Sequence, residues 1–366
     1  LVDARARTLR QFAAFERDLG PDLSVPCTPE LNPPLWELGH IGWFADWWIA
    51  RLPERERGRG EAAHPDATRS PARLAARGID ADALYNSSTV PHDSRWALPL
   101  PDLAATRADL AASLADTLRL LALVPETDAG LYFFRLALFH EDMHAEAWVQ
   151  MAQALGIDAG ESPPPPTCTP AAALLVDAAD WTLGHTLPGF AFDNERGQQV
   201  VAVDGFEIDA LPVSWARYLP AVQAGAVPVP RYLKRMAQGW WALQYGRWQP
   251  LHLHAPACHV SAHDARAWCA WAGRRLPTEA EWELAAHTAR GFEWGQVWEW
   301  TASAFEPLPG FTPHPYRDYS APWFDGRPVL KGASWATAPR MRHPRYRNFF
   351  EAHRNDVIAG FRSVAA

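Results

Sequence analysis

Apolar residues recur at helical spacing through the first 160 positions. Residues 1–20 form one such stretch. After a loop containing Pro26, Pro33 and Pro34, the run LWELGHIGWFADWWIARL forms a second. Two longer patterns follow, at about 102–124 and 126–156. Four amphipathic helices joined in this way predict a four-helix bundle. Residues 53–80, polar and rich in Gly and Pro, read as a surface excursion, and residues 81–101 (ALYNSSTVPHDSRWALPLP) as turns.

The pattern changes at ESPPPPTCTP, residues 161–170, where four consecutive prolines predict a stiff linker. Beyond it, short β-like runs such as VVAVDGFEID alternate with loops rich in Gly, Pro and Trp. A helix is predicted at His263–Gly273, and Thr278 and Glu281 make a capping-box pattern at the start of another. The expected organisation is α + (α+β): a bundle over 1–160, a linker over 161–170 and a loop-rich α+β domain over 171–366. At Gly295–Gln296, GFEWG runs abruptly into QVWEW, which suggests residues missing between them.

Composition adds exclusions. The net charge of −8 comes without a basic block, so nucleic acid is a poor partner. The best apolar run, Leu131–Phe139, is short and broken by Arg135, so no membrane span is expected. The four cysteines lie far apart and form no CxxC, which reads as reduced thiols in a cytoplasmic protein. Nineteen tryptophans could build a core or wall a cationic or sugar-like ligand.

One motif carries chemistry. In HEDMH, His140 and His144 stand i and i+4 on a predicted helix, stacking both imidazoles on one face where they can grip a metal. The string also satisfies HExxH, so a zinc hydrolase with Glu141 as general base is a rival. His40, on the apolar helix WELGHIGWF, is the natural third ligand. Three neutral imidazoles leave positions open for substrate; they suit a redox metal, zinc or nickel alike.

The segments LGHIGWF and HEDMHAEA resemble a DinB-type helical domain. GFAFDNER, PVSWARYL, HVSAHDARAWCAWAGRRLPTEAEWELAA, VWEWTAS, LKGASWA and IAGFRS resemble the formylglycine-generating-enzyme fold, a relative of C-type lectins. Together, in this order, they resemble the ergothioneine-pathway sulfoxide synthase (EgtB-like) family and its relative, selenoneine synthase. The resemblance implies a non-haem Fe(2+) held by His40, His140 and His144. It implies O2-dependent joining of sulfur or selenium to imidazole C2 of hercynine, the trimethylated betaine of histidine. Formylglycine formation is not implied: its copper-binding cysteine pair is missing, since no cysteine follows Cys269.

The resemblance also assigns substrate contacts. Asn348, Phe349 and Phe350 match the hercynine-binding stretch, and Met143 stands where many members carry a hercynine-facing Gln. Without the resemblance, both phenylalanines would read as core. Relatives that use γ-glutamylcysteine carry several arginines after the YNS motif; here only Arg95 is present. That favours a donor with fewer carboxylates: a selenosugar first, with Asn86, Arg95 and Trp96 as contacts, and cysteine as the alternative. Tyr316, in PGFTPHPYRDYS, is the candidate proton donor. The resemblance places the metal between the two domains. The rivals are a DinB-type metal hydrolase or S-transferase, and a ligand-binding protein with a structural histidine cluster.

Overall fold

The structure is a computed structural model and describes residues 1–164, 172–185 and 187–366. It forms two compact units. The first comprises Leu1–Glu161 with the short segments Pro188–Phe190 and His314–Asp318; the second comprises Ser162–Leu187, Ala191–Pro313 and Tyr319–Ala366. Of the proline-rich stretch 161–170, residues 165–170 lie outside the described residues. Among the described residues no helix is long and apolar enough to cross a membrane.

The first unit is a bundle of four helices: α1 (Val2–Leu19), α2 (Pro34–Ala45), α3 (Leu103–Leu121) and α4 (Asp128–Leu155). Their ends follow local chemistry. Pro34 opens α2, where its missing N–H costs nothing. Asp102 caps α3 by accepting from the Ala105 N–H, and Thr127 caps α4 by accepting from the Gly130 N–H. Gly156 ends α4 in the left-handed conformation, φ 76°. The core between the helices is aromatic; Phe12 and Phe15 meet Trp148 edge-on at 5.7 and 4.7 Å.

The run predicted as one helix through Leu52 instead widens after Ala45 into a π-turn, Asp46–Ala50. The wide turn lets Trp48 stack on Phe133 while Trp47 receives the guanidinium groups of Arg51 and Arg69. The 53–80 segment is more than a surface excursion. Glu56, Arg57 and Leu74 are buried, and Arg57 donates to the carbonyls of Ile49 and Leu52 at the end of that turn. Burial there satisfies carbonyls that the helix leaves without partners.

The second unit has two four-stranded sheets. One is ordered β1 (Leu174–Val176), β4 (Phe206–Ile208), β13 (Val364–Ala365), β8 (Arg274–Arg275) and is antiparallel. The other is ordered β11 (Asn348–Phe349), β10 (Pro328–Gly332), β9 (Trp298–Ala304), β12 (Ala359–Gly360), with β12 parallel to β9. Two antiparallel arrays complete it: β2 (Ala179–Leu183) with β3 (Gln199–Val203), and β5 (Leu233–Met236), β6 (Gly239–Gln244), β7 (Arg247–Pro250). Helices α5 (Trp215–Gln223), α6 (Ala262–Trp271) and α7 (Glu279–Thr288) pack among them. The predicted box at the start of α7 forms reciprocally: Thr278 Oγ1 accepts from the Glu281 N–H, and Glu281 Oε2 from the Thr278 N–H.

Strands this short leave many loop carbonyls to satisfy inside the unit. Buried arginines do it. Arg362 pairs with Glu299 and donates to the carbonyls of Asp209 and Ala210. Arg347 pairs with Glu279 at 2.7 Å and donates to the carbonyls of Asn194 and Glu306. Lys331 pairs with Glu283 at 2.7 Å. All three guanidinium nitrogens of Arg362 and of Arg347 are thus hydrogen-bonded, which offsets their desolvation.

Glu195 stands apart from this pattern. It is 1 % exposed, and Oε2 faces His343 Nε2 at 3.3 Å. Burial pushes its carboxyl up to about 8 and the His343 imidazole down to about 3, so both are neutral near pH 7. Unfolded, the same carboxyl ionises near 4.5. Between those values the native state holds the extra proton, so this group's contribution becomes more unfavourable as pH rises through that window and levels off above it. Denaturant midpoints measured from pH 5 to 8 should therefore fall more steeply for the wild type than for Glu195→Gln. Parallel profiles would contradict the assignment.

Candidate metal centre and adjoining cleft

The bundle unit brings His40, His140 and His144 together, with ligand-capable atoms within 4.8 Å of one another. His40 Nε2 and His144 Nε2 each lie 3.2 Å from His140 Nε2. The other ring nitrogens fix the tautomers. His40 Nδ1 lies 2.8 Å from the Tyr85 carbonyl, which only a donor can satisfy. His144 Nδ1 donates to Glu37 Oε1 at 2.9 Å. In the neutral ring, each Nε2 is then a lone pair aimed at His140. A proton on His140 Nε2 can serve one of them; the other contact then sets lone pair against N. A cation resolves all three, so the donor set fits a metal.

Burial holds the imidazoles of His40 and His140 well below their ordinary pKa, as neutral ligands. A set of three imidazole nitrogens matches iron, zinc, nickel or copper.

Local sequence explains the geometry. His140 and His144 share a face of α4 by i, i+4 spacing. Glu37 sits three residues before His40 on α2, fully buried, and its second oxygen, Oε2, is without a hydrogen-bond partner. Trp36 lies parallel to His40 at 4.8 Å, and Phe44 stacks on His140 at 3.5 Å. Gly39 has a specific duty: a Cβ there would come within 2.4 Å of the buried Tyr85 ring, whose backbone carbonyl takes the His40 proton. Glu37, Phe44 and Tyr85 were missed in the sequence. The one available signal was a carboxylate on a strongly apolar helix, one turn from a histidine.

Glu141 faces elsewhere. Its carboxylate accepts from Arg5 Nε at 2.7 Å and Thr8 Oγ1 at 3.0 Å, both on α1. A carboxylate so committed is not free to act as a general base, and the HExxH hydrolase reading loses its central residue.

A cleft of about 290 Å³ adjoins the cluster. Trp43 and Phe44 line it and also contact His40 and His140. Its other walls include Trp47, Trp48, Asp66, Asn86, Ser87, Ser88 and Tyr316. Tyr316 packs edge-on against Phe44 at 5.1 Å and hydrogen-bonds Ser87. Burial pushes its phenol up to about 12, so it keeps its proton at neutral pH.

The remaining predicted contacts sit as follows. Asn86 borders the cleft at the end of the short helix Ala81–Tyr85. Arg95 lies flat over Trp36 at 4.0 Å and donates to Asn32 at 2.8 Å. Trp96 gives its donor to the Val25 carbonyl. Met143 is half-buried between the two histidines of α4. Asn348, Phe349 and Phe350 belong to the second unit. Phe349 stacks on Phe305 at 4.2 Å, and Phe350 has the Arg354 guanidinium over its ring at 5.4 Å.

Comparison with known proteins settles the family. Residues 159–296 and 292–366 match the sulfatase-modifying factor enzyme 1-like domain. The hercynine oxygenase of Mycolicibacterium smegmatis is 30% identical over 440 aligned residues, spanning 99% of this chain and 96% of the relative. The chain belongs to the hercynine oxygenase (EgtB-like) family. The Mycobacterium tuberculosis hercynine oxygenase is 29% identical over 99% of this chain and 96% of its own length. The inactive C-alpha-formylglycine-generating enzyme 2 of Bos taurus is 56% identical over 55 residues, 15% of this chain and 17% of its own. As a member of the hercynine oxygenase family, the chain is an oxidoreductase. The domain match divides at 292–296, where GFEWG meets QVWEW. The backbone crosses that join in a turn at Gly295, φ 99°, and the Gln296 carbonyl accepts from the Trp335 N–H.

Two predictions follow the geometry. Glu37→Gln and Gly39→Ala should each weaken Co(II) or Fe(II) binding about 10- to 100-fold, by loosening His144 and His40 respectively, as read by metal titration. Glu141→Gln should lower stability while leaving metal affinity within about twofold, because it breaks only the buried pair with Arg5; a buried pair cut on one side costs roughly 3–5 kcal/mol. A large loss of metal affinity in Glu141→Gln would restore it to the site.

Proposed function

We propose that this chain uses O2 to join a thiol donor to imidazole C2 of hercynine as a sulfoxide, with iron(II) held by His40, His140 and His144. The reaction balances as thiol plus imidazole C–H plus O2, giving the C–S(=O) product and water. The observation that carries the reading is the set of three converging imidazoles beside a cleft that presents a protonated tyrosine. Iron, once bound, supplies the redox chemistry with O2 that an unactivated imidazole carbon requires.

The chain's own residues supply order. Glu37 and Tyr85 hold two ligand rings in one tautomer. Trp43, Phe44 and Trp48 exclude water on one side of the cleft. Tyr316 holds a proton at its phenol oxygen, ready for transfer in the oxidative step. Asn348, Phe349 and Phe350 are assigned to hercynine by family resemblance. Phe350 suits the task best, since its face already accepts a cation and a trimethylammonium has no N–H to donate.

For the donor, cysteine or γ-glutamylcysteine is the reading closest to the named relatives. A selenosugar is the second reading. It is supported by the hydroxyl and amide wall of Asn86, Ser87, Ser88 and Thr89, and by the commitment of Arg95 to Trp36 and Asn32.

The test is O2 uptake by iron(II)-loaded protein given hercynine with γ-glutamylcysteine, cysteine or a 1-seleno-sugar, with products identified by mass. A sulfoxide supports the main reading and a C–Se adduct the second. No uptake with any donor, in protein shown to hold iron, would sink both. Tyr316→Phe should lower kcat about 100-fold or more, within the range for loss of a general acid.

A further inference from the structure

The segment His314–Asp318 is far in sequence from the residues it packs on, and its four polar side chains all contact helices or turns within the first 132 positions. His314 Nδ1 lies 3.1 Å from the Tyr132 hydroxyl, and its Nε2 lies 3.4 Å from Glu61 Oε2. Tyr316 bonds Ser87, Arg317 pairs with Asp66 at 3.1 Å, and Asp318 accepts from the Ser88 hydroxyl. Only the first of these contacts is buried throughout: Tyr132 is 5 % and His314 8 % exposed. Arg317 and Asp66, by contrast, are more than half exposed, and such pairs contribute little.

Tyr132 has a particular place. It lies eight residues before His140 on α4, about two helical turns toward the helix N-terminus and about 80° around the axis from it. Its ring packs against His314 at 5.6 Å, Phe133 at 4.9 Å and Phe190 at 5.4 Å. One arrangement gives every proton an acceptor: the Tyr132 hydroxyl donates to Nδ1, and the Nε2 proton faces the Glu61 carboxylate. Prolines 313 and 315 flank His314 and fix φ on either side of it, so a shift of His314 carries to Tyr316 two residues on.

We infer that Tyr132 and His314 are positioning residues for Tyr316: a buried clasp that sets the phenol at a defined place on the helix carrying two of the three histidines. The inference rests on the proposed role of Tyr316 for its effect on catalysis, but not for its effect on structure.

The experiment compares Tyr132→Phe, His314→Asn, Tyr316→Phe and the double variant Tyr132→Phe/Tyr316→Phe in the full iron-loaded chain. Hydrogen exchange of peptides covering 312–320 should rise at least fivefold in Tyr132→Phe and His314→Asn, with peptides covering 136–148 unchanged. kcat should fall about tenfold or more in both, with KM for hercynine within about twofold. In the Tyr316→Phe background, Tyr132→Phe should add no further loss, because both act through one phenol. Unchanged exchange in 312–320 would overturn the clasp. So would a Tyr132→Phe loss of the same size in the double variant. Should Tyr316→Phe alone leave kcat intact, the proton-donor reading fails, and exchange still decides whether the clasp exists.

Discussion

Everything distinctive about the bundle unit depends on two hydrogen bonds made on the outer side of the histidine cluster. If His40 Nδ1 did not meet the Tyr85 carbonyl, or His144 Nδ1 the Glu37 carboxylate, each ring could swap tautomer and turn its lone pair away. Fixed as they are, they leave three Nε2 atoms packed at 3.2 Å contacts inside a desolvated core. Such a cluster is costly to leave without charge compensation, and burial holds the His40 and His140 imidazoles well below their ordinary pKa. The surrounding sequence serves that arrangement: Gly39 makes room for Tyr85, and Trp36 and Phe44 clamp two rings by stacking.

Helix α4 acts as a common ruler for the site. Its four-residue spacing places His140 and His144 on one stripe, with Tyr132 about two turns toward its N-terminus on an adjoining side. A single helix therefore references two histidines of the cluster and, through Tyr132 and His314, the segment carrying Tyr316 to the same axis. The second unit solves a different problem. With strands of two to seven residues, it relies on buried Arg–Glu pairs whose spare N–H groups bind loop carbonyls. Such a frame tolerates long irregular loops because the side chains, and not the ladders, satisfy the backbone.

Periodicity made the four helices legible, and the i, i+4 rule made His140 and His144 legible as a pair. A histidine on an apolar helix reads by itself as a satisfied core residue; the i, i+4 pair on a second helix is what made His40 a candidate third member of the cluster. Glu37 was hidden for the opposite reason: its role is set by a residue 107 positions away. Tyr316 came from resemblance; nothing local tells that its loop packs on Phe44 and not on its sequence neighbours. The π-turn at Asp46–Ala50 was also beyond reach, since one extra residue in a turn leaves no compositional trace. Trp96, proposed as a donor-substrate contact, gives its indole N–H to the Val25 carbonyl, a partner 71 positions away that its sequence surroundings do not reveal.

HEDMH shows why a motif must be read with its register. A residue one position after a ligand histidine is turned about 100° around the helix axis. In a zinc hydrolase that turn would bring the glutamate toward a water on the metal. Here α1 packs against that side of α4 and presents Arg5 and Thr8 to the same carboxylate. Arg5 also donates to the Leu110 carbonyl on α3, so the pair ties three helices together. The string is the same, but the neighbouring helix has converted the would-be base into a strut. That leaves Glu141 unavailable to activate water, while Trp43 and Phe44, which contact His40 and His140, also line the cleft that Tyr316 borders.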